Sequence, residues 1–128
     1  MAKILLIDDD TVLLKLYSTK LNADGHQVQT ATNGEAGLVL VGTFKPDIIL
    51  LDLLMPKLNG FTFIETLNRQ PITKAIPKII FSSVANQEQI NRLKTLGVTT
   101  YLNKIDTTPT QLVNIINQML APSSLPSA

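Results

Sequence analysis

Charged side chains end three of the apolar segments in this sequence. In chain order they are Asp8 and Asp9, then Asp52, then Lys104. Carboxylates that lie close together repel one another. A cluster of three therefore needs a divalent cation beside it to stabilise the ionised form. Carboxylates, a divalent cation and a lysine at one place are the groups that phosphoryl transfer requires. The sequence therefore predicts phosphoryl chemistry, provided that the fold brings these residues together.

The segments that precede these residues are short, apolar and bounded by turn signals. Such runs are typical of strands that are buried on both faces, as in parallel sheets. The carboxyl ends of parallel strands share one edge of the sheet, and ligands bind at that edge. We therefore expect the three acidic groups and the lysine to converge in a single crevice.

Strand-like and helix-like segments alternate along the chain. The predicted strands are residues 4–7, 27–31, 48–51, 78–82 and 99–102. Each precedes a segment with apolar residues at helical spacing, and Gly25 and Gly97 are typical helix stops. Crossover helices must cover both faces of a parallel sheet, so the pattern predicts the α/β class, a five-stranded doubly wound parallel sheet with five helices. Residues 1–121 form one predicted domain, and the polar, proline-containing residues 122–128 form a predicted disordered tail.

Composition excludes several classes of function. The 128 residues include 11 basic and 10 acidic side chains, for a net charge of +1, which argues against direct nucleic-acid binding. The absence of cysteine removes disulfides, thiolate chemistry and zinc fingers. No apolar run approaches the ~18 residues of a membrane span, and the start of the chain does not have the pattern of a signal peptide. We expect a soluble, cytoplasmic protein without a membrane interaction.

Over residues 3 to about 120 the chain resembles the receiver domain of two-component response regulators. The motifs that carry the resemblance are Asp8-Asp9, Asp52 followed by Met55-Pro56 and Gly60, Ser82, and Tyr101-Leu102-Asn103-Lys104. All of them occur in the order and at the spacings of that family. The resemblance implies a flavodoxin-like strand order, 2-1-3-4-5.

The resemblance also implies a role for each residue of the acidic cluster. Asp52 is the expected nucleophile, which accepts a phosphoryl group from a sensor histidine kinase, a phosphotransfer protein or a small donor such as acetyl phosphate. Mg²⁺ is the expected cofactor. Asp9 binds it directly, Asp8 acts partly through water, Asp52 is a further metal ligand, and Leu54 contributes its backbone carbonyl.

Two further roles are implied at the ends of the last two strands. Lys104 supplies a cation for the transferred phosphoryl oxygens, and the Ser82 hydroxyl donates to another of them. In the family the corresponding Ser or Thr moves toward the phosphoryl group while an aromatic residue of strand five turns inward, so Ser82 and Tyr101 form the expected switch.

The sequence departs from the family pattern after Lys104, where Ile105 replaces a proline that often follows a cis bond. A cis bond before a residue other than proline costs ~3 kcal/mol, so the Lys104–Ile105 bond is predicted to be trans. Leu54 and Val84 are apolar at positions that flank the phosphoryl group in the family. Neither side chain can orient a water molecule by hydrogen bonding, so the phosphorylated form is predicted to hydrolyse slowly.

Two alternative functions remain open at this point. Asp8 to Asp10 also resembles the motif of haloacid-dehalogenase-type phosphatases, in which Asp8 is the nucleophile and Asp10 the general acid, but this reading leaves Asp52 without a role. The second alternative is a degenerate receiver-like module that only binds partners. The intact acidic set argues against it, whereas Ile105 is compatible with it.

The sequence also suggests how such a receiver signals. No output domain is expected after the last helix, so a stand-alone receiver that acts on a downstream protein partner is predicted. Residues 86–96 are rich in amides and poor in charge, which favours a monomer or weak dimer. By resemblance, residues 13–17 determine kinase specificity. The single histidine, His26, is predicted to be an exposed turn residue without a chemical role.

Overall fold

The computed structural model describes residues 2–55, 58–83 and 86–120. The predicted tail, residues 122–128, lies outside the described residues, as do Pro56 and Val84. The strands are β1 (Lys3–Ile7), β2 (Gln27–Ala31), β3 (Ile48–Leu51), β4 (Lys78–Ser82) and β5 (Thr100–Asn103). The helices are α1 (Thr11–Ala23), α2 (Gly34–Phe44), α3 (Gly60–Leu67), α4 (Pro71–Lys74), α5 (Gln87–Thr95) and α6 (Pro109–Leu120).

The strands form one parallel sheet in the order β2-β1-β3-β4-β5. This order confirms the doubly wound fold that the sequence predicts. The central strands β1, β3 and β4 are almost completely buried, whereas β2 at the edge is largely exposed. Burial on both faces explains the apolar runs at residues 4–7, 48–51 and 79–81 of these strands, and exposure of one edge explains the polar residues of β2.

Alternate residues of the central strands face two separate hydrophobic layers. Leu5, Ile49 and Ile80 belong to the layer that includes residues of α2, α3 and α5. Leu6 and Leu50 belong to the opposite layer, which includes residues of α1 and α6. The side-chain period of two along a strand produces this division, and the crossover helices cover both faces.

Polar side chains cap the helices that start on the carboxyl side of the sheet. The side chains of Asp10, Asn33, Asn59 and Asn86 accept hydrogen bonds from backbone N–H groups in the first turns of α1, α2, α3 and α5. Such caps satisfy donors that have no partner within the helix. Among the described residues, no helix combines the length and apolar character needed to cross a lipid bilayer.

The short helix α4 adds one helix to the five that the sequence predicts. Its four residues begin with Pro71 and are too few to produce an apolar period in the sequence. The buried side chain of Lys78 stabilises the end of this segment, because Nζ donates to the carbonyl oxygens of Lys74 at 3.1 Å and Ile76 at 2.7 Å. Burial lowers the pKa of Lys78. Lys78 therefore has a structural role at the edge of the sheet opposite the acidic residues.

His26 differs from its predicted exposed position. It is half-buried, and its Nδ1 atom accepts a hydrogen bond from the backbone N–H of Ala2 at 3.2 Å. Its Nε2 atom lies 2.7 Å from Oδ1 of Asn117 in α6. The prediction was wrong because both partners are distant in the sequence: Ala2 lies 24 positions away and Asn117 lies 91 positions away.

Candidate functional site

The four charged residues singled out in the sequence meet at the carboxyl edge of the sheet. Asp52 continues the ladder beyond β3, because its backbone N–H donates to the carbonyl oxygen of Ile7 at 3.1 Å. Lys104 continues the ladder beyond β5, because its backbone N–H donates to the carbonyl oxygen of Ser82 at 3.1 Å. The backbone that carries both functional side chains is therefore anchored to the neighbouring strand in each case.

The three carboxylates form a compact cluster. One oxygen from each of Asp8, Asp9 and Asp52 lies within 4.8 Å of the others. Asp8 and Asp52 are buried, with only 3% and 7% of their surface exposed, whereas Asp9 is exposed. A site with hard oxygen donors that opens to solvent at one residue suits a hydrated divalent cation such as Mg²⁺.

Backbone groups hold two of these carboxylates in place. Oδ1 of Asp8 accepts a hydrogen bond from the backbone N–H of Asp10 at 2.9 Å. Oδ1 of Asp52 accepts one from the backbone N–H of Leu54 at 3.2 Å. Each carboxylate therefore keeps its other oxygen for interactions across the cluster.

Lys104 joins the two buried carboxylates. Its Nζ atom lies 2.7 Å from Oδ2 of Asp8 and 2.9 Å from Oδ2 of Asp52. Burial by itself would lower the pKa of Lys104, but the hydrogen bonds to Asp8 and Asp52 together with the negative charges of these two residues outweigh burial and raise that pKa. The ammonium group is consequently held in its charged form.

Asp8 carries an electrostatic cost even with this partner. Burial raises the pKa of Asp8, and the hydrogen bond from Lys104 only partly offsets that effect. One ammonium group faces three carboxylates, so the ionised cluster has an excess of negative charge. A bound divalent cation would remove this cost.

Gly60 allows helix α3 to start against the loop that follows Asp52. A Cβ atom at this position would lie 2.9 Å from Cα of Leu53 and 3.0 Å from the carbonyl oxygen of Asp52. The backbone N–H of Gly60 donates to Leu53 at 3.0 Å. A larger residue would push α3 away from the site, which gives Gly60 a steric reason to be part of the sequence motif.

Comparison with known protein families assigns most of the chain to a single family. The family model of the response regulator receiver domain matches residues 4–117. The chain belongs to this family. As a receiver domain it is a signalling domain.

Relatives of this receiver domain include both short and long proteins. It is 37% identical to Protein PilH of Pseudomonas aeruginosa over 121 residues, which cover 94% of this chain and 99% of that protein. It is also 37% identical over 105 residues to the DNA-binding dual master transcriptional regulator RpaA of Synechocystis, where the match covers 81% of this chain but only 43% of that protein. The receiver domain therefore spans less than half of RpaA.

A solved structure has the same fold. The chemotaxis protein CheY4 of Vibrio cholerae superposes with a TM-score of 0.85 at 28% identity, covering 94% of this chain and 99% of that one. The strand order found in the receiver domain is therefore matched by an experimental structure of a family member.

The remaining residues predicted for the site lie in β4, in β5 and after β3. Ser82 is buried at the end of β4 and pairs with Asn103 of β5. Tyr101 is half-buried in β5, and burial, followed by the charge of Asp106, raises its pKa. The side chain of Leu54 is 56% exposed beside Asp52. The other predicted flanking residue, at position 84, is not among the described residues.

The turn after β5 is one feature of the site that sequence reasoning missed. The peptide bond between Lys104 and Ile105 is trans, as predicted. The backbone N–H of Ile105 donates to the side-chain Oδ1 of Asn103 at 2.7 Å. Asparagine side chains often bind the backbone N–H two residues later, and Ile105, unlike a proline, has such an N–H. The presence of Asn103 two positions before Ile105 is therefore the signal that could have revealed this contact.

Proposed function

We propose that this receiver domain accepts a phosphoryl group on Asp52 and signals through changed binding of a partner protein. The observation that carries the proposal is the buried Asp52 carboxylate, which lies 2.9 Å from the Lys104 ammonium group and within 4.8 Å of carboxylate oxygens of Asp8 and Asp9. One Asp52 oxygen attacks phosphorus. The bond from phosphorus to a kinase histidine nitrogen, or to the acetate oxygen of acetyl phosphate, breaks at the same time, and the leaving group takes any proton it needs from solvent.

Mg²⁺ is the cofactor that fits the donor set. Asp8, Asp9 and Asp52 offer carboxylate oxygens, and the backbone carbonyl of Leu54 is the proposed fourth protein ligand. When bound, the ion neutralises charge on the phosphoryl oxygens. Before transfer the protein itself contributes orientation, because backbone N–H groups fix Asp8 and Asp52.

Lys104 and Ser82 are the proposed partners of the transferred phosphoryl group. Lys104 now shares its charge between two carboxylates, and after transfer its ammonium group binds a phosphoryl oxygen instead. Ser82 lies at the end of the adjacent strand, from which its hydroxyl donates to another oxygen. The protein therefore catalyses its own phosphorylation and is not a turnover enzyme in the ordinary sense.

The proposed switch couples this chemistry to the surface formed by α5, β5 and α6. Ser82 moves toward the phosphoryl group, and the half-buried ring of Tyr101 turns inward behind it. Two arrangements of one packed region, biased by a single modification, are sufficient to change partner affinity.

The partners in this proposal are proteins. A sensor histidine kinase or phosphotransfer protein donates the phosphoryl group, with specificity at residues 13–17 of α1. The phosphorylated receiver then acts on a downstream protein in the cytoplasm as a monomer or weak dimer, without contacting nucleic acid itself.

The direct test is the intact mass of the protein after incubation with acetyl phosphate. The proposal predicts a gain of one phosphoryl group with Mg²⁺ and no gain after chelation of the metal. Absence of a gain under both conditions would instead support the degenerate binding module.

Asp10 separates the proposal from the phosphatase alternative. Its Oδ1 atom accepts hydrogen bonds from the backbone N–H groups of Val12 and Leu13, each at 3.1 Å, so it acts as the cap of α1. Asp10→Ala should lower the free energy of unfolding by about 1 kcal/mol in a urea titration while leaving phosphorylation intact. Asp10→Asn, which retains a capping side chain, should restore stability. If Asp10→Asn lost turnover of acetyl phosphate while its stability stayed unchanged, Asp10 would be a general acid and the phosphatase alternative would be favoured.

Leu54 carries the prediction of a long-lived phosphorylated form. Its exposed apolar side chain lies beside Asp52 and offers no hydrogen bond to an attacking water. Leu54→Asn should shorten the lifetime of the adduct several-fold, measured as loss of the phosphorylated mass with Mg²⁺ present. Ile72→Asn is a matched control, because Ile72 is exposed in α4 near the opposite edge of the sheet. A wild-type lifetime of seconds would contradict slow hydrolysis.

A further inference from the structure

Asn103 organises the turn that carries Lys104. The backbone N–H of Asp106 donates to the carbonyl oxygen of Asn103 at 3.2 Å, which closes a turn over residues 103–106. Within it, the Asn103 side chain accepts the N–H of Ile105 at 2.7 Å. An asparagine at the first position of a turn that binds the N–H two residues later forms an Asx turn.

The identity of residue 105 makes this contact possible. Ile105 occupies the third position of the turn, where a trans proline is disfavoured and a cis proline produces a different type of turn. Isoleucine keeps the bond trans and retains an N–H, which a proline lacks. The Asn103 side chain takes up that donor, so the geometry after β5 is fixed by a hydrogen bond rather than by a proline ring.

The turn is anchored to the site on its other side. Between Asn103 and Ile105, the backbone N–H of Lys104 donates to Ser82 at 3.1 Å. The Lys104 side chain then reaches Asp8 and Asp52. The Lys104 backbone is therefore held by one bond to β4 and by the Asx turn that follows it, while its side chain spans the distance to the carboxylates.

We propose that Asn103 is a positioning residue for Lys104, and that it fulfils the role of ordering the turn that a proline at position 105 would otherwise fulfil. This inference rests on the proposed function, since it assigns Asn103 an effect on phosphorylation of Asp52 through Lys104. Without the side-chain acceptor, the turn samples other conformations, and the ammonium group spends less time at the phosphoryl-binding position. Asn103→Ala should slow phosphorylation by about threefold to tenfold, the worth of one hydrogen bond.

A double-mutant cycle tests the proposal. Initial rates of adduct formation from acetyl phosphate at saturating Mg²⁺ are measured for wild type, Asn103→Ala, Lys104→Ala and the double variant. We expect Asn103→Ala to slow wild type but to add no further loss to Lys104→Ala, because the effect passes through the ammonium group. Asn103→Asp, which keeps the acceptor oxygen, should recover most of the rate.

Two results would overturn this proposal alone, and a third would overturn the proposed function as well. Equal rates for Asn103→Ala and wild type would show that the contact does not position Lys104. The same fractional loss in both backgrounds, accompanied by a lower melting temperature, would show a general structural role. If wild type itself forms no adduct, the proposed function fails and this inference fails with it, whereas the first two results leave the proposed function intact.

Discussion

Replacing Asp52 with asparagine should abolish phosphorylation completely. Asparagine has the same shape and can still accept the Leu54 N–H, but its amide lacks the negative charge and the nucleophilic oxygen that attack phosphorus. It also removes the charge that faces Lys104 at 2.9 Å. Intact-protein mass after incubation with acetyl phosphate and Mg²⁺ should show no adduct in Asp52→Asn.

The control for this variant is the aspartate at the opposite end of β3. Asp47 is an exposed carboxylate just before β3, and its Oδ2 atom accepts the backbone N–H of Lys3 at 2.8 Å. Asp47→Asn should gain the phosphoryl group at the wild-type rate. An adduct of undiminished yield in Asp52→Asn would mean that another residue is the acceptor.

Replacing Asp9 with asparagine should have the second-largest effect, through loss of the metal. Asp9 is the exposed member of the cluster, so the substitution removes a charged ligand with little effect on the core. Residues that only hydrogen-bond to a metal ligand change metal affinity or activity by about 10–100-fold when they are replaced. Loss of a direct ligand should therefore weaken Mg²⁺ binding by at least about tenfold. The dependence of the phosphorylation rate on Mg²⁺ concentration measures this shift.

The neighbouring carboxylate provides a closely matched comparison. Asp10→Asn also removes one exposed negative charge next to the cluster but preserves the cap of α1. It should leave the Mg²⁺ dependence almost unchanged, since Asp10 is not one of the three clustered carboxylates. Equal weakening in Asp9→Asn and Asp10→Asn would indicate general electrostatic attraction in place of coordination.

The arrangement of the acidic cluster could be predicted because it depends on strand ends. Asp8 and Asp52 each follow a continuously buried strand, and parallel strands necessarily bring such positions to one edge. The alternation of strands and helices likewise predicted the two covered faces of the sheet. The strand order did not follow from periodicity, and it was available only through resemblance to the family.

Other features could not be predicted, because they depend on contacts that form only in the folded chain. The bond between His26 and Asn117 joins residues 91 positions apart. The buried Lys78 side chain donates to a carbonyl oxygen of a helix that is too short to be recognised from its pattern. The contact between Asn103 and Ile105 is local, and the asparagine is a signal for it, but the bond forms only if the backbone adopts the geometry of the turn.

The position of the phosphoryl group decides whether Asp52 or Asp8 is the nucleophile. An aspartyl phosphate is an acyl phosphate, and reduction with borohydride converts the modified residue into homoserine, which peptide mass spectrometry can locate. With acetyl phosphate and Mg²⁺, we expect homoserine at position 52 and aspartate at position 8. Homoserine at position 8, with position 52 unchanged, would overturn the assignment of Asp52 and identify Asp8 as the nucleophile.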